Sequence, residues 1–131
     1  MNDLSADDRL AIIQVVSDFA HMVDNQDYGR IGEVFAEDFV AERGGVGPDV
    51  VGHEGVKANL QGRQAFNHLS TDICIRGQEG DGYRVDSKFI GFLRDGSLMT
   101  GEHRNIVVRT DAGWRLARRR TIVRNAATTA P

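Results

Sequence analysis

Apolar residues along the first third of the chain recur at helical spacing, and along the last half they alternate with polar ones. Leu10, Ile13, Val16, Phe19, Ala20 and Val23 form a stripe with period 3.6, which predicts a first helix ending near Asp24. Ser5 with Asp8 three residues later has the form of a capping box and marks its start. A second short helix over about residues 28–36 buries Ile31, Val34 and Phe35. The run FVAERGGVG reads as a strand entering a glycine-rich loop. A third helix over roughly residues 54–66 has Val56, Leu60 and Phe66 as its apolar side. From His68 the period changes to two. HLSTDICIR, YRVDSKFIGFL, LMTGEHRNIVVRT and WRLARRRTIV are four alternating runs, separated by turn-forming GQEGDG, RDGS and DAG. Helices followed by a meander of strands predict an α+β fold, a curved antiparallel sheet wrapped around three helices. The whole of residues 1–131 is one domain, with residues 1–67 mainly helical, 68–124 antiparallel strands, and 125–131 a loose tail.

Asp24 breaks the apolar pattern. At about 100° per residue it shares a face with Ala20 and Ile13, so the carboxylate points toward the core and needs a hydrogen-bonding partner. His68, His103 and Arg104 are the candidates; the alternative is that Asp24 caps the turn that follows it and His68 is a hydrogen-bonded core histidine. A carboxylate accepting from one imidazole nitrogen fixes the tautomer and makes the other nitrogen a stronger base, so an Asp–His pair is a candidate general base. His103 and Asn105, two apart on a strand, share one face with Gly101 and Val107.

Composition narrows the function classes. The chain has 131 residues, 40% of them hydrophobic, enough for one core. Its formal charge of −3 argues against a nucleic-acid partner, and no apolar run is long enough to span a membrane. The acidic N-terminus is unlike a secretory signal, and a lone cysteine, Cys74, forms no internal disulfide and no Cys-based zinc site, so a cytoplasmic protein is expected. His53, His68, His103 and Glu102 follow no metal-ligand spacing, and no metal is expected. In WRLARRRTIV, Arg115, Ala117 and Arg119 alternate with Leu116, Arg118 and Arg120, which reads as solvated arginines on a sheet face or at a subunit contact.

The segments IIQVVSDFAHMVDNQD, VFAED, NHLSTD and GEHRNIVVRTDAGWRL, in that order, resemble the SnoaL-like proteins of the nuclear transport factor 2-like superfamily over nearly the whole chain. The resemblance implies a cone-shaped α+β barrel closed by three helices, with a deep pocket whose mouth lies among them. Two members, scytalone dehydratase and hexachlorocyclohexane dehydrochlorinase, use an aspartate at the end of the first helix and a histidine at the start of the strand after the third as a catalytic dyad for elimination. Asp24 and His68 match those positions. Asn105 matches a substrate-binding asparagine of scytalone dehydratase, and His103 replaces a serine. Ketosteroid isomerases carry an oxyanion-donating tyrosine where this chain has Phe19, which disfavours that chemistry.

The resemblance therefore implies a cofactor-independent dehydratase, isomerase or cyclase acting on a small apolar, polyketide-, terpenoid- or aromatic-like molecule. Asp24 and His68 would be its catalytic pair, with Phe19, Val23, Phe35 and Phe39 as apolar lining and His103 with Asn105 holding a substrate oxygen. A homodimer or homotrimer is expected. The competing reading is a non-catalytic ligand-binding or assembly protein of the same fold.

Overall fold

The computed structural model describes residues 3–45, 47–62 and 65–124. Helix α1, Ala6–Asp24, starts at the expected capping box: Asp8 N donates to Ser5 Oγ at 3.0 Å, and Ser5 N donates back to Asp8 Oδ2 at 3.2 Å. Trp114 Nε1 and Arg109 also donate to Asp8, which ties the start of α1 to the sheet. The buried face of α1 is Ile12, Val15, Val16, Phe19, Ala20, Met22 and Val23. Two members of the expected stripe point outward instead, Leu10 at 67% exposure and Ile13 at 38%. The true face is rotated toward Ile12 and Met22, and Asp24 sits at its margin rather than at its centre.

The expected second helix is shorter than its apolar pattern suggests. A 3-10 turn, Tyr28–Arg30, leads into α2, Ile31–Val34, and Phe35 already belongs to strand β1, Phe35–Glu42. Strand β2, Val50–Val51, pairs antiparallel with β1 and leads into α3, Gly52–Gln61, which buries Val56 and Leu60. The chain then enters β3, Ala65–Glu79, so Phe66 has strand backbone rather than helical, and its side chain lies outside the described residues. Strands β4, Gly82–Leu93, β5, Leu98–Thr110, and β6, Gly113–Val123, complete the predicted meander. The expected loose tail, residues 125–131, also lies outside the described residues.

The six strands form one curved, unclosed sheet in the order β2-β1-β6-β5-β4-β3. Every pairing is antiparallel except that of β1 with β6, which is parallel, so the sheet is mixed where the sequence suggested an antiparallel one. Helices α1 and α3 pack on one face of this sheet, and the core lies between the two layers.

An irregularity in β6 decides which side chains face that core. Leu116 pairs with Val107 and Arg118 with Ile106, so Ala117 is an extra residue, a β-bulge. Before it Trp114 and Leu116 point inward; after it the phase flips and Arg119 points inward, 4% exposed. The simple alternation that put Arg119 beside Arg115 among solvated arginines therefore fails at Ala117.

Candidate functional site

The last turn of α1 and the first residues of β3 meet at Asp24 and His68. Asp24 Oδ1 lies 2.5 Å from His68 Nδ1, and Asp24 Oδ2 accepts from the His68 backbone N at 2.7 Å. Both carboxylate oxygens are thereby committed to one residue, which fixes the position of β3 relative to α1 as well as the ring. A carboxylate only accepts hydrogen bonds, so Nδ1 is the donor, and Nε2 becomes the basic nitrogen of the neutral ring. The His68 side chain is 5% exposed and that of Asp24 16%, so the pair is largely shielded from water. The expected stripe partner Ile13 has no part in holding Asp24; the carboxylate is tolerated because β3 presents two donors to it.

His68 lines a cavity of about 100 Å³ between the helices and the inner sheet face. Asp24 does not line it. Asp24 faces a separate groove with Ser17, His21, Asn25 and Asn67, so His68 stands between that groove and the cavity, backed by its carboxylate. Phe19 from α1, Phe35 and Phe39 from β1, Val56 and Leu60 from α3, and Phe89 from β4 make the cavity largely apolar. Phe19 is its hub, with edge-on rings from Phe35 at 6.1 Å, His103 at 5.9 Å and His68 at 6.3 Å between centroids. Gly91 of β4 lies beside the His68 ring, where a Cβ would come within 3.8 Å of Nε2.

Of the expected lining residues, Phe19, Phe35, Phe39 and His103 face the cavity, while Val23 and Asn105 do not. Val23 packs in the core, 5% exposed. His103 stacks on Phe89 at 4.4 Å between centroids and 13° between planes, which holds its ring flat against the cavity wall. Asn105 is fully buried, and its amide is used within the protein. Nδ2 donates to Val85 O at 3.0 Å, and Oδ1 accepts from Arg119 Nε at 2.8 Å. Asn105 thus holds Arg119, whose Cζ lies 4.1 Å from the Phe19 ring centroid and which does line the cavity.

Sequence reasoning missed Arg119, along with Arg43, Asn59, Phe89, Met99 and Thr121 of the lining. A signal for one arginine was available. Arg118, Arg119 and Arg120 are consecutive on a strand, so they cannot all face solvent if one sheet face is core. Which of them turns inward depends on the bulge at Ala117.

Two further buried or half-buried polar groups, His53 and Asp86, lie away from the cavity chemistry. His53 Nε2 donates to Phe35 O at 2.8 Å and braces α3 against β1. Asp86, on the sheet face opposite Val85 and Ser87, accepts from Arg84 and Arg76. Burial raises the Asp86 pKa, but hydrogen bonds from Arg84 and Arg76 and their charges outweigh it, so it lies below the ordinary carboxylate value. Among the described residues no group of three or more His, Cys, Asp or Glu side chains is placed to hold a metal ion, and no helix is long and apolar enough to cross a membrane.

Comparison with known proteins supplies the remaining observation. The family model of the SnoaL-like domain matches residues 5–120. No curated protein matches the chain. Among solved structures, a candidate aromatic ring hydroxylase from Novosphingobium aromaticivorans is 28% identical, with 98% of this chain and 94% of that one aligned at a TM-score of 0.76. A candidate scytalone dehydratase from the same organism is 20% identical over 92% of this chain and 89% of its own, TM-score 0.72. LinA is 21% identical over 88% and 85%, TM-score 0.73.

Proposed function

The chain belongs to the SnoaL-like domain family, within the nuclear transport factor 2-like superfamily, and on that footing we propose that it is a cofactor-independent lyase or isomerase in which His68 removes a proton from carbon. The observation that carries the reading is the two-point hold of Asp24 on His68, ring and backbone together, at the wall of an apolar cavity. Asp24 donates nothing to substrate. It is a positioning residue: it selects the Nδ1–H tautomer, aims the ring and stabilises the imidazolium formed when Nε2 takes the proton.

The apolar lining favours a small substrate with an apolar body, whose reacting carbon is presented to Nε2 of His68 in the cavity. Proton removal leaves negative charge on the substrate. In this reading His103, stacked on Phe89, donates to an oxygen on which that charge collects. The imidazolium then returns the proton to a leaving hydroxyl, giving dehydration, or to a second carbon, giving isomerisation; both close without an external redox partner. This reading includes a homodimer or homotrimer in the cytoplasm, and light scattering after size exclusion tests the assembly.

The experiment is a screen of cyclic carbonyl compounds for exchange of their carbon-bound protons in D₂O, run with wild type and His68→Asn. Exchange catalysed by wild type and lost in His68→Asn supports the proposal. Ligands that bind in the cavity without exchange in either protein would leave a binding role instead.

A further inference from the structure

The cavity is apolar in its middle but not electrically neutral at its edge. Among the described residues two arginines line it, Arg43 and Arg119, and no carboxylate does; Asp24 faces the other side of His68. The two cations share one wall. Ala41 pairs with Arg119 across the parallel junction of β1 and β6, and Arg43 follows just past the end of β1; all three line the cavity. Arg119 is held by its neighbours, and Arg43 lies against the backbone of the glycine-rich loop that follows it. Arg119 is held through Nε by Asn105 and covered by the Phe19 ring. Gly47 lies so close to the Arg43 guanidinium that a Cβ there would collide with Nη1, and Gly44 is similarly pressed on the Thr121 carbonyl.

His68 is on the far side of the same cavity. In the strand order β1-β6-β5-β4-β3, the arginine wall and His68 are separated by β5 and β4. From β6 to β3 is three strand spacings, roughly 14 Å between strand axes before side chains reach inward. A buried cation such as Arg119, 4% exposed, acts through a low dielectric, so its attraction for a ligand charge is far less screened than at the surface. The overall charge of −3 works against collecting anions, so the pull of this wall on an anion is a local one.

From this arrangement we infer that the molecule taken up is an organic anion, an apolar ring system bearing a carboxylate, with the carboxylate toward Arg43 and Arg119 and the reacting carbon toward His68. The inference rests on the proton-abstraction reading for the direction of the ligand, and on the arginine wall alone for its charge. The carboxylate takes no part in the chemistry. It is a handle whose binding energy fixes the distance between the head and the carbon presented to Nε2. Arginine suits this role because its planar fork matches a carboxylate.

The test is calorimetric titration of the intact protein with benzoate and 2-naphthoate against benzamide and 2-naphthamide, at low and at moderate salt. Wild type should favour each carboxylate over its amide by about 10–100-fold, the range a charge-assisted hydrogen bond supplies, with the preference shrinking in salt. In Arg43→Met that preference should fall to within about 3-fold, at an unchanged circular dichroism spectrum; Arg119→Met should act in the same direction where it folds. Equal or tighter binding of the amides by wild type, no measurable carboxylate binding, or a preference that survives both substitutions overturns the inference. His68→Asn separates it from the catalytic reading: the anion preference should persist there, whatever becomes of proton exchange.

Discussion

Replacing Asp24 by asparagine changes one atom and reverses one hydrogen-bond polarity. The backbone N of His68 keeps its partner, because the amide oxygen can still accept at the position of Oδ2, 2.7 Å away. The ring loses its acceptor. The amide nitrogen introduced by Asp24→Asn would then face Nδ1 at the 2.5 Å contact now made by Oδ1, and two donors cannot share it. The ring escapes by moving its proton to Nε2, which turns the proposed base into a donor. A charge-assisted hydrogen bond contributes about 1.5–3 kcal/mol and a neutral one about 0.5–1.5, while removal of a shielded charge offsets part of the difference, so stability should change by no more than about 1 kcal/mol. Turnover should fall by about 10²–10⁴-fold. The tautomer is directly observable by long-range ¹H–¹⁵N correlation of the histidine rings, which needs no substrate, and stability by urea unfolding. An Nδ1–H tautomer retained in Asp24→Asn, together with a rate within about 3-fold of wild type, would refute the reasoning. Asp24→Ala provides the contrast: it strands the His68 backbone N and should cost about 1–3 kcal/mol.

Two other perturbations follow from buried polar contacts. Asn105→Leu keeps the branched shape but removes the side-chain partners of both Val85 O and Arg119 Nε, and should destabilise by about 2–4 kcal/mol in urea unfolding, where a residue that only held a substrate oxygen would leave stability unchanged. Asp86 has a folded pKa below its unfolded one, so the stabilisation it gives is fully present above the ordinary carboxylate value of 3.8 and is lost as pH falls through the lower folded value. Asp86→Asn should therefore flatten the acid limb of stability against pH below about 4, and an unchanged limb would show that its pairs with Arg76 and Arg84 do not matter.

The elements built on local periodicity were legible in the sequence. The capping box at Ser5 and Asp8, the helix ending at Asp24 and the strand Leu98–Thr110 are all set by neighbours in the chain. The inward face of β5, with His103 and Asn105, followed from strict alternation. What failed depends on contacts distant in sequence. Phe35 begins a strand rather than ending a helix because β6 offers it a parallel partner in Leu116, some eighty residues later. Leu10 and Ile13 fit a helical stripe, but the sheet covers the neighbouring stripe through Ile12 and Met22. Asn105 was placed on the correct face, yet its depth and its hold on Arg119 required the bulge at Ala117, and a bulge leaves no mark in alternation until the partner strand is known. The approach of Asp24 to His68 was reachable only as one of several pairings, and the position of Asp24 behind the ring rather than in the cavity was not reachable at all.

The central claim is that Nε2 of His68 takes a proton from carbon, and deuterium incorporation tests it most directly. A cyclic ketone or keto acid that binds in the cavity is incubated with enzyme in D₂O and followed by ¹H NMR for loss of the carbon-bound proton signal. The account predicts exchange well above the solvent rate with wild type, reduced by about 10²-fold or more in folded His68→Asn and in Asp24→Asn. Exchange by folded His68→Asn at the wild-type rate would contradict it.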